Sequence, residues 1–383
     1  MFKNLRELIL SMPTEESCRE YLAQQRWENG QAECPYCGHK KCYPIEKGLR
    51  YKCANNKCYK RFRVTVGTIM EASNIPLVKW FSAIYLVTAH KKGISSYQLG
   101  KDLGIAQKNA WFMLHRIREA LNPKENIKLD NIVEVDEVYI GGKVGNMSKS
   151  KRKRLRDEGN TYNTKTMVMG MLERGGNLKL IPVGSNTNTQ AICPTVKANV
   201  DTDAVLITDS LSTYTNLSNQ YAGHEVVNHT EMEYVRDKVI HTNSIEGAFS
   251  LLKRSIIGIY HQVTPKHLKR YCDETMFRYN LRGMNDAARF TYSLSQVNGR
   301  LTWKDLVRKD EPNNFVAVRN VRTEEQTQKR IVRPIVQMNE GVIVAEFKSI
   351  RECSRQTGIA TELIREVLIG IKITTHGYQF KYL

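Results

Sequence analysis

Two aspartates occupy positions where a carboxylate is costly to bury and useful for catalysis. Asp136 lies within the apolar run IVEVDEVYI (132–140), and Asp209 directly follows the run AVLIT (204–208). An ionised side chain in a buried strand needs a partner, and α/β sheets place ligand-facing residues at the carboxyl ends of their strands. Two carboxylates ~4 Å apart repel by about 4 kcal/mol at an effective dielectric of 20. The pair therefore predicts a site for Mg²⁺ or Mn²⁺, of which two ions can align the attacking and leaving oxygens of a phosphodiester.

A third ligand is expected from the helix predicted over HTNSIEGAFSLLKRS (241–255). Asn243 and Glu246 are three residues apart and Lys253 lies seven beyond Glu246, so the three share a helical face. Glu246 can supply a third carboxylate, Asn243 a neutral oxygen or a hydrogen bond to substrate, and Lys253 a point charge for a phosphate. The adjacent Arg254 is a candidate DNA contact. The alternative interpretation is a helix cap followed by a solvated charged face.

Four cysteines have the spacing of a structural zinc site. Cys34 and Cys37 form a Cys-x2-Cys knuckle, and Cys53 and Cys58 form a slightly longer second pair. Two such pairs can close a tetrahedral site, which supplies folding energy to a segment too short for its own core. The site is predicted to be structural because four thiolates leave no open coordination position. Iron or unmetallated thiols are the alternatives, and Cys42 could exchange for one ligand.

Two segments follow the pattern of a helix-turn-helix, in which the second helix enters the major groove. Residues 95–121 offer a serine N-cap at position 95 or 96 and a turn at Gly104, and residues 348–370 place Gly358 at the turn. An ordinary helical hairpin produces similar patterns. The candidate DNA contacts are Gln107, Lys108, Asn109, Arg116 and Arg118 in the first segment and Thr361, Glu362, Arg365 and Lys372 in the second.

The charge of the chain favours a polyanionic partner. The 383 residues carry a formal net charge of +19, which indicates nucleic acid, here double-stranded DNA, before an anionic membrane surface or a ribosomal-type role. Residues 148–160, SKSKRKRLRDEGN, predict an exposed or disordered basic loop. Its candidate DNA contacts are Lys151, Arg152, Lys153 and Arg154. The opening segment lacks the apolar stretch of a signal peptide, so we expect a cytoplasmic, nucleoid-associated protein if the host is a bacterium.

Strand-like runs that alternate with helices after Pro123 indicate a multidomain α/β protein with a sheet that carries the two aspartates. The predicted domains are an N-terminal helix (1–30), a zinc ribbon (31–70), a helix-turn-helix domain (71–123), a catalytic domain (128–305) with the basic loop 148–160, a linker (306–334) and a small C-terminal helix-turn-helix module (335–383).

The motifs CPYCG, VDEVYIGGK, TDS, HTNSIEG and LLKRSIIGIYHQVTPKHLKRYCDE occur in an order that resembles insertion-sequence transposases of the DDE superfamily, in the branch with an N-terminal zinc ribbon. The resemblance spans roughly residues 1–305. It implies an RNase H-like mixed sheet flanked by helices, two catalytic Mg²⁺ or Mn²⁺ ions and a homodimer or higher oligomer on DNA. It also implies binding of terminal inverted repeats, DNA cleavage by water and strand transfer into target DNA.

The same resemblance assigns catalytic residues by position. Asp136 and Asp209 match the first two catalytic acids. The third position of this branch is often described as Asn, and HTNSIEG contains both Asn243 and Glu246, so the assignment stays open. Glu246 is favoured as the Mg²⁺ ligand because of its charge and its spacing to Lys253.

The tail from about Ile335 is similar to the small modular DNA-binding repeats found in homing endonucleases. This similarity implies an additional DNA contact or a target preference.

Two other functions fit part of the sequence. A DNA-binding regulator without catalysis explains the ribbon, the helix-turn-helix patterns and the charge, but it leaves Asp136 and Asp209 without a role. A different nuclease on an RNase H-like core, such as a resolvase or a ribonuclease H, explains the acids but leaves the N-terminal domains without one.

Overall fold

The structure is a computed structural model of the chain. It describes residues 2–123, 126–142, 144–157, 165–184, 189–218, 220–227, 240–308, 334–339, 341–368 and 372–382. Two compact units are present, one formed by Met1–Glu125 with Ser250–Asn314 and the other by Asn126–Phe249 with Phe315–Leu383. The predicted catalytic domain 128–305 is thus divided, because its last helices pack with the N-terminal segments.

The N-terminal segment forms two helices, not the single helix that was predicted over residues 1–30. Helix α1 spans Leu5–Ser11 and α2 spans Glu15–Arg26. Pro13 disfavours a helical conformation at the residue before it. Thr14 then starts α2 with a capping box, in which its hydroxyl accepts from the amide of Ser17 (3.1 Å) and the Ser17 hydroxyl accepts from the amide of Thr14 (3.1 Å).

A small antiparallel sheet forms the ribbon. Its strands are β1 (Cys42–Ile45), β2 (Arg50–Cys53) and β3 (Arg61–Phe62), in the order β1-β2-β3. Trp27, which follows α2, packs edge-on against the ring of Tyr51 at 5.1 Å between centroids. The ribbon is therefore anchored to the helices by an aromatic contact as well as by its cysteines.

Three helices follow the ribbon. They are α3 (Leu77–Ala89), α4 (Ser96–Leu103) and α5 (Gln107–Ala120). Ser95 caps α4 by accepting from the amide of Gln98 (3.1 Å). Gly104 ends α4 at φ +59°, a left-handed conformation that glycine adopts without strain. The predicted helix-turn-helix layout is present in α4 and α5.

The second unit is built on a five-stranded mixed sheet in the order β6-β5-β4-β7-β8. The strands are β4 (Ile132–Ile140), β5 (Thr166–Glu173), β6 (Leu178–Gly184), β7 (Val205–Asp209) and β8 (Gly223–Val227). Strand β4 pairs antiparallel with β5 and parallel with β7. It occupies the centre of the sheet, as predicted for the strand that carries Asp136.

The two faces of β4 have different partners. Val133 and Val135 enter an apolar core with residues of β5 and of helix α7 (Thr189–Asn199). Because strand side chains alternate, Glu134 and Asp136 lie on the opposite face. That face is covered in part by helix α8 (Asn243–Ser255).

The predicted basic loop is helical over most of its length. Helix α6 spans Lys149–Asp157, and residues 158–160 lie outside the described residues. The Ser148 carbonyl oxygen accepts from the amide of Arg152 (2.9 Å), which closes the first turn. Lysine, arginine and leucine are good helix formers, and the charged side chains remain at the surface, so the segment folds without burying its charge. The expectation of a loop was wrong.

The remaining helices complete the first unit. A π-helical turn (Ile256–Tyr260) follows α8, and then come α9 (Pro265–Asn280), α10 (Asp286–Ser295) and α11 (Trp303–Val307). Helix α9 packs on α5, and α10 packs on α2 and α3.

The C-terminal module is a three-stranded antiparallel sheet with two helices. Its elements are β9 (Ile335–Asn339), β10 (Val342–Phe347), α12 (Ile350–Thr357), α13 (Thr361–Leu368) and β11 (Gln379–Tyr382), and its strand order is β10-β9-β11. Gly358 makes the predicted turn at φ +72°. Most of the predicted linker lies outside the described residues, and its boundaries remain a prediction.

The predicted fold class is confirmed: a mixed α/β core of the RNase H-like kind follows a cysteine-rich ribbon and a helix-turn-helix, and a small module with two helices follows the core. Among the described residues, no helix has the length and apolar character needed to cross a bilayer.

Candidate functional site

Three carboxylates meet where β4 and β7 stop pairing. The last pair between these strands is Val135 with Thr208, and Asp136, Glu137 and Asp209 lie directly beyond it. One carboxylate oxygen of each acid lies within 4.8 Å of the others. All three side chains are half-buried, so solvent can reach the cluster but does not fully screen it.

Hydrogen bonds fix the acids in place. The amide of Glu137 donates to Asp136 Oδ1 (2.7 Å), and the amide of Leu211 donates to Asp209 Oδ1 (3.1 Å). The buried Tyr214 donates its hydroxyl to Glu137 Oε1 (2.5 Å). Each acid is therefore held by a donor on the protein side of the cluster.

The surroundings of the cluster favour the neutral form of Glu137, whose pKa is raised. Burial is the largest cause that raises the pKa of Glu137 to about 7; the Tyr214 hydrogen bond opposes this rise, and the charges of Asp209 and Asp136 add to it. Two carboxylates at such separations repel by about 3 to 4 kcal/mol at an effective dielectric of 20. An all-oxygen set of closely spaced carboxylates fits a hard divalent cation such as Mg²⁺ or Mn²⁺, which removes the cost of their repulsion.

The two aspartates predicted from the sequence are brought together, whereas Glu137 was missed. The signal for Glu137 was visible as the second acid of the pair at positions 136–137. Strict strand alternation assigns neighbouring side chains to opposite faces, which argued against using both. At the end of the β4–β7 pairing the two carboxylates nevertheless reach the same space.

The residues predicted on α8 lie at the surface of the protein. Asn243, Glu246, Lys253 and Arg254 are exposed. Among the described residues, the carboxylates of this cluster are those of Asp136, Glu137 and Asp209, so Glu246 lies outside it. A role for Glu246 or Asn243 as third catalytic residue remains a prediction.

Helix α8 is nevertheless packed beside the strand position of Asp136. In the ladder between β4 and β5, Asp136 is paired with Gly170. A Cβ at Gly170 would lie 2.5 Å from Phe249 and 2.7 Å from Ile245, both on α8. Only glycine leaves room for this approach, which places the first two turns of α8 against the neighbour of Asp136.

The four predicted zinc ligands form a closed cluster. The Cys34 and Cys58 sulfurs are 3.8 Å apart, and the Cys37 and Cys53 sulfurs are 3.6 Å apart. Four ligands about 2.3 Å from a tetrahedral centre lie about 3.8 Å from one another. The cluster consists of these four residues, whereas the Cys42 thiol points to the carbonyl oxygen of His39 (3.5 Å). The geometry supports the predicted structural Zn²⁺ site.

Three of the five DNA contacts predicted on α5 are exposed, and their contact with DNA remains a prediction. Gln107, Lys108 and Asn109 are exposed on its first turn, the part of a recognition helix that meets base edges.

The other two predictions on α5 were wrong. Arg116 is buried and donates to the carbonyl oxygen of Glu71 (2.5 Å). Arg118 is 1% exposed, and its Nε donates to Glu274 Oε2 (2.5 Å). Both guanidinium groups are committed to the protein interior and cannot reach a phosphate.

On α6, Lys151, Lys153 and Arg154 are exposed and Arg152 is half-buried. In the C-terminal module Thr361 is half-buried and Lys372 is exposed, and the side chain of Glu362 lies outside the described residues. Arg365 is buried, with 8% exposure, and lies 3.8 Å from Asp203 Oδ1. The prediction that Arg365 contacts DNA was therefore wrong, because its guanidinium group is buried within the unit.

Comparison with protein families identifies three domains. Residues 128–280 match the ISXO2-like transposase domain, residues 13–61 match the transposase zinc-ribbon domain, and residues 336–381 match the NUMOD-like domain of DNA endonuclease I-HmuI-like proteins. A related protein of Halobacterium salinarum, described as "Uncharacterized protein in transposable element ISH50", is 29% identical over 259 residues, which cover 64% of this chain and 84% of the relative.

These matches confirm the resemblance stated from the sequence, both to the zinc-ribbon-bearing DDE transposases and to the modular repeats of homing endonucleases. The chain carries a transposase domain and a structural zinc ribbon, and its domains imply DNA binding.

Proposed function

We propose that this chain, whose central domain is an ISXO2-like transposase domain, binds the terminal inverted repeats of an insertion sequence and catalyses metal-dependent cleavage and strand transfer into target DNA. The observation that carries the proposal is the convergence of Asp136, Glu137 and Asp209 within 4.8 Å at the centre of a mixed sheet. A regulator without catalysis has no use for three carboxylates held together against their own repulsion.

The acids have separable tasks in this proposal. Asp136 and Asp209 would hold the divalent ions, and the amide of Leu211 fixes the orientation of the Asp209 carboxylate. Glu137, oriented by Tyr214, supplies the third carboxylate of the cluster, and Glu246 or Asn243 approaches from α8 when DNA is bound. When present, two divalent ions neutralise the phosphodiester and align the attacking and leaving oxygens.

DNA is held by surfaces outside the acidic cluster. The first turn of α5 presents Gln107, Lys108 and Asn109 to the element end, and α6 presents Lys151, Lys153 and Arg154 to a phosphate backbone. The net charge of +19 supports strong and salt-dependent attraction to DNA. Pairing of two element ends requires at least two active sites, so the protein acts as a homodimer or higher oligomer on DNA.

The test is a joining assay with the full chain. Labelled duplex that carries one end of the encoding element is incubated with a supercoiled target plasmid and Mg²⁺ or Mn²⁺. Joined products support transposition, nicks alone indicate a nuclease that does not transpose, and bound intact DNA indicates a regulator. Asp209→Asn should abolish nicking and joining while DNA binding persists. Asp130→Asn is the matched control, because Asp130 precedes β4 at the end remote from the cluster and accepts from the amide of Asn131 (2.7 Å), a bond that the asparagine side-chain oxygen can also accept.

A further inference from the structure

A buried carboxylate on the central strand caps the helix that lies beside the active site. Glu134 is on β4, two residues before Asp136 and on the same face of the sheet. Its side chain is 0% exposed. A fully buried charge requires several hydrogen bonds to be tolerated, and the contacts of Glu134 reveal what it holds.

One oxygen of Glu134 satisfies the start of α8. Oε2 accepts from the amides of Ser244 and Ile245, each at 3.0 Å. Helix α8 begins at Asn243, so these are first-turn amides, which have no acceptor within their own helix. Such amides are usually capped by a residue just before the helix. Here the acceptor comes from a strand that precedes α8 by more than a hundred residues.

The other oxygen of Glu134 joins the same helix start through an arginine. Oε1 accepts from Nε of Arg174 (2.7 Å), which follows β5. Nη2 of Arg174 donates to the carbonyl oxygen of His241 (2.8 Å) and lies 3.1 Å from His241 Nδ1. The residue two positions before α8 is thereby tied to the same carboxylate.

A second contact fixes α8 one turn further along. Ile245 and Phe249 rest on Gly170, the ladder partner of Asp136, where a Cβ would be only 2.5 to 2.7 Å from them. Two contacts, the cap by Glu134 and the packing of Ile245 and Phe249 on Gly170, determine where α8 begins and how it is rotated about its axis over the sheet.

We propose that Glu134, neutralised by Arg174, is a positioning residue for catalysis: it fixes the first turn of α8, and therefore Asn243 and Glu246, against the strand that carries Asp136. The inference rests on the proposed function, in which Glu246 or Asn243 of α8 adds a further catalytic group to the three carboxylates. Stability alone is a poor explanation, because replacing a buried ion pair by apolar residues is often neutral or stabilising. A carboxylate on β4 that caps α8 instead fixes the position of the start of α8 relative to β4.

The first test uses Glu134→Gln in the full chain. Glutamine keeps the volume and one acceptor oxygen, but it removes the charge that pairs with Arg174. Hydrogen exchange at the amides of Ser244 and Ile245 should accelerate about tenfold or more. The kcat of metal-dependent cleavage should fall about 10- to 100-fold, in the range typical of residues that orient metal ligands. The KM for DNA should remain within about twofold, because the cap does not touch DNA.

A matched control and a second variant separate positioning from general damage. Glu173→Gln removes another buried acid from the same sheet, on the face of β5 that is turned away from α8. It should leave the hydrogen exchange of the α8 amides and kcat unchanged. The double variant Glu134→Leu/Arg174→Leu removes the cap without leaving a buried unpaired charge, and kcat of the folded fraction should again fall about 10- to 100-fold. A fall in midpoint with unchanged kcat in the folded fraction would overturn the proposal and leave a structural role.

The unmodified protein offers a measurement that does not depend on a variant folding. The amides of Ser244 and Ile245 should exchange as slowly as those of β4, because their acceptor is fully buried; exchange at the rate of exposed coil would overturn the cap. Failure of the proposed function is distinguishable: if Asn243→Ala and Glu246→Gln both retain full joining, α8 supplies no catalytic group even when the exchange results hold.

Discussion

Replacing Arg118 should damage folding and leave DNA affinity intact, although the residue lies on the helix predicted to read DNA. Its Nε donates to the fully buried Glu274 (2.5 Å), which also accepts from Arg278 and from the hydroxyl of Tyr260 (2.6 Å). Burial raises the pKa of Glu274, but the positive charges of Arg118 and Arg278 outweigh it and lower the value to about 2. Removing Arg118 leaves the buried Glu274 with one of its two ion-pair partners, Arg278, so part of its negative charge is no longer compensated.

The magnitude follows from that uncompensated charge. Removing one partner of a buried ion pair costs about 3 to 5 kcal/mol, and the remaining Arg278 should keep the loss for Arg118→Met at about 3 kcal/mol. Urea unfolding monitored by tryptophan fluorescence measures the change. The double variant Arg118→Met/Glu274→Gln should lose less than the sum of the single variants, because the orphaned charge is removed as well.

DNA binding at low temperature, where Arg118→Met remains folded, provides the contrast. Its affinity and the slope of log affinity against log salt should match those of the unmodified protein. Lys108→Met changes an exposed residue of the same helix whose Nζ lies 4.9 Å from the centroid of the Trp303 ring. It should cost at most about 1 kcal/mol of stability and lower the slope by about 0.9 for a lost phosphate contact. A stable Arg118→Met protein with weakened, less salt-dependent binding would refute the reasoning.

Three further predictions test other parts of the molecule. A chelator should remove one zinc ion per chain, measured in a colorimetric assay, and Cys34→Ser should be purified without it; both should weaken recognition of the element end. Retained zinc in Cys34→Ser would contradict the four-sulfur site. Burial, with the charge of Arg118, lowers the pKa of His115 to about 2. Between that value and the unfolded pKa of about 6.5, the His115 imidazole binds a proton only in the unfolded chain. The free energy of unfolding should therefore fall by about 1.4 kcal/mol for each unit of decreasing pH between pH 6.5 and 4.5. His115→Leu should lack this contribution in urea titrations, and equal pH slopes would exclude it. Gly170→Ala should cost about 1 to 3 kcal/mol through overpacking and reduce cleavage, with partial recovery when Phe249→Leu makes room; a fully active and stable Gly170→Ala would contradict the close approach of α8.

The features that follow local rules were predictable from the sequence. The zinc ligands, the Ser95 cap and the central position of β4 depend on spacing, capping and apolar runs, all of which are readable within about thirty residues. The split of the N-terminal helix at Pro13 was readable too, because proline disfavours the helical conformation before it. The basic segment was assigned to a loop because its charge cannot be buried, although a surface helix needs no burial of charge.

The features that depend on distant partners were not predictable. Arg118 was predicted to contact DNA because its position in the second helix of the motif was visible, whereas its partner Glu274, 156 residues away in the chain, was not. Glu134 was visible as a charged residue inside an apolar strand. That it accepts from the first amides of α8 could not be predicted, because the sequence does not show that α8 begins beside this strand. Glu137 joins the acidic cluster because pairing between β4 and β7 stops one residue before Asp136, and a sequence does not reveal where a ladder ends.

The most direct test of the metal-dependent active site is anomalous diffraction from crystals of the full chain with an element-end duplex and Mn²⁺. The account predicts a manganese peak in contact with the carboxylates of Asp136 and Asp209, with Glu137 beside it. Manganese absent from both aspartates at millimolar concentration, while the DNA is bound, would contradict the account.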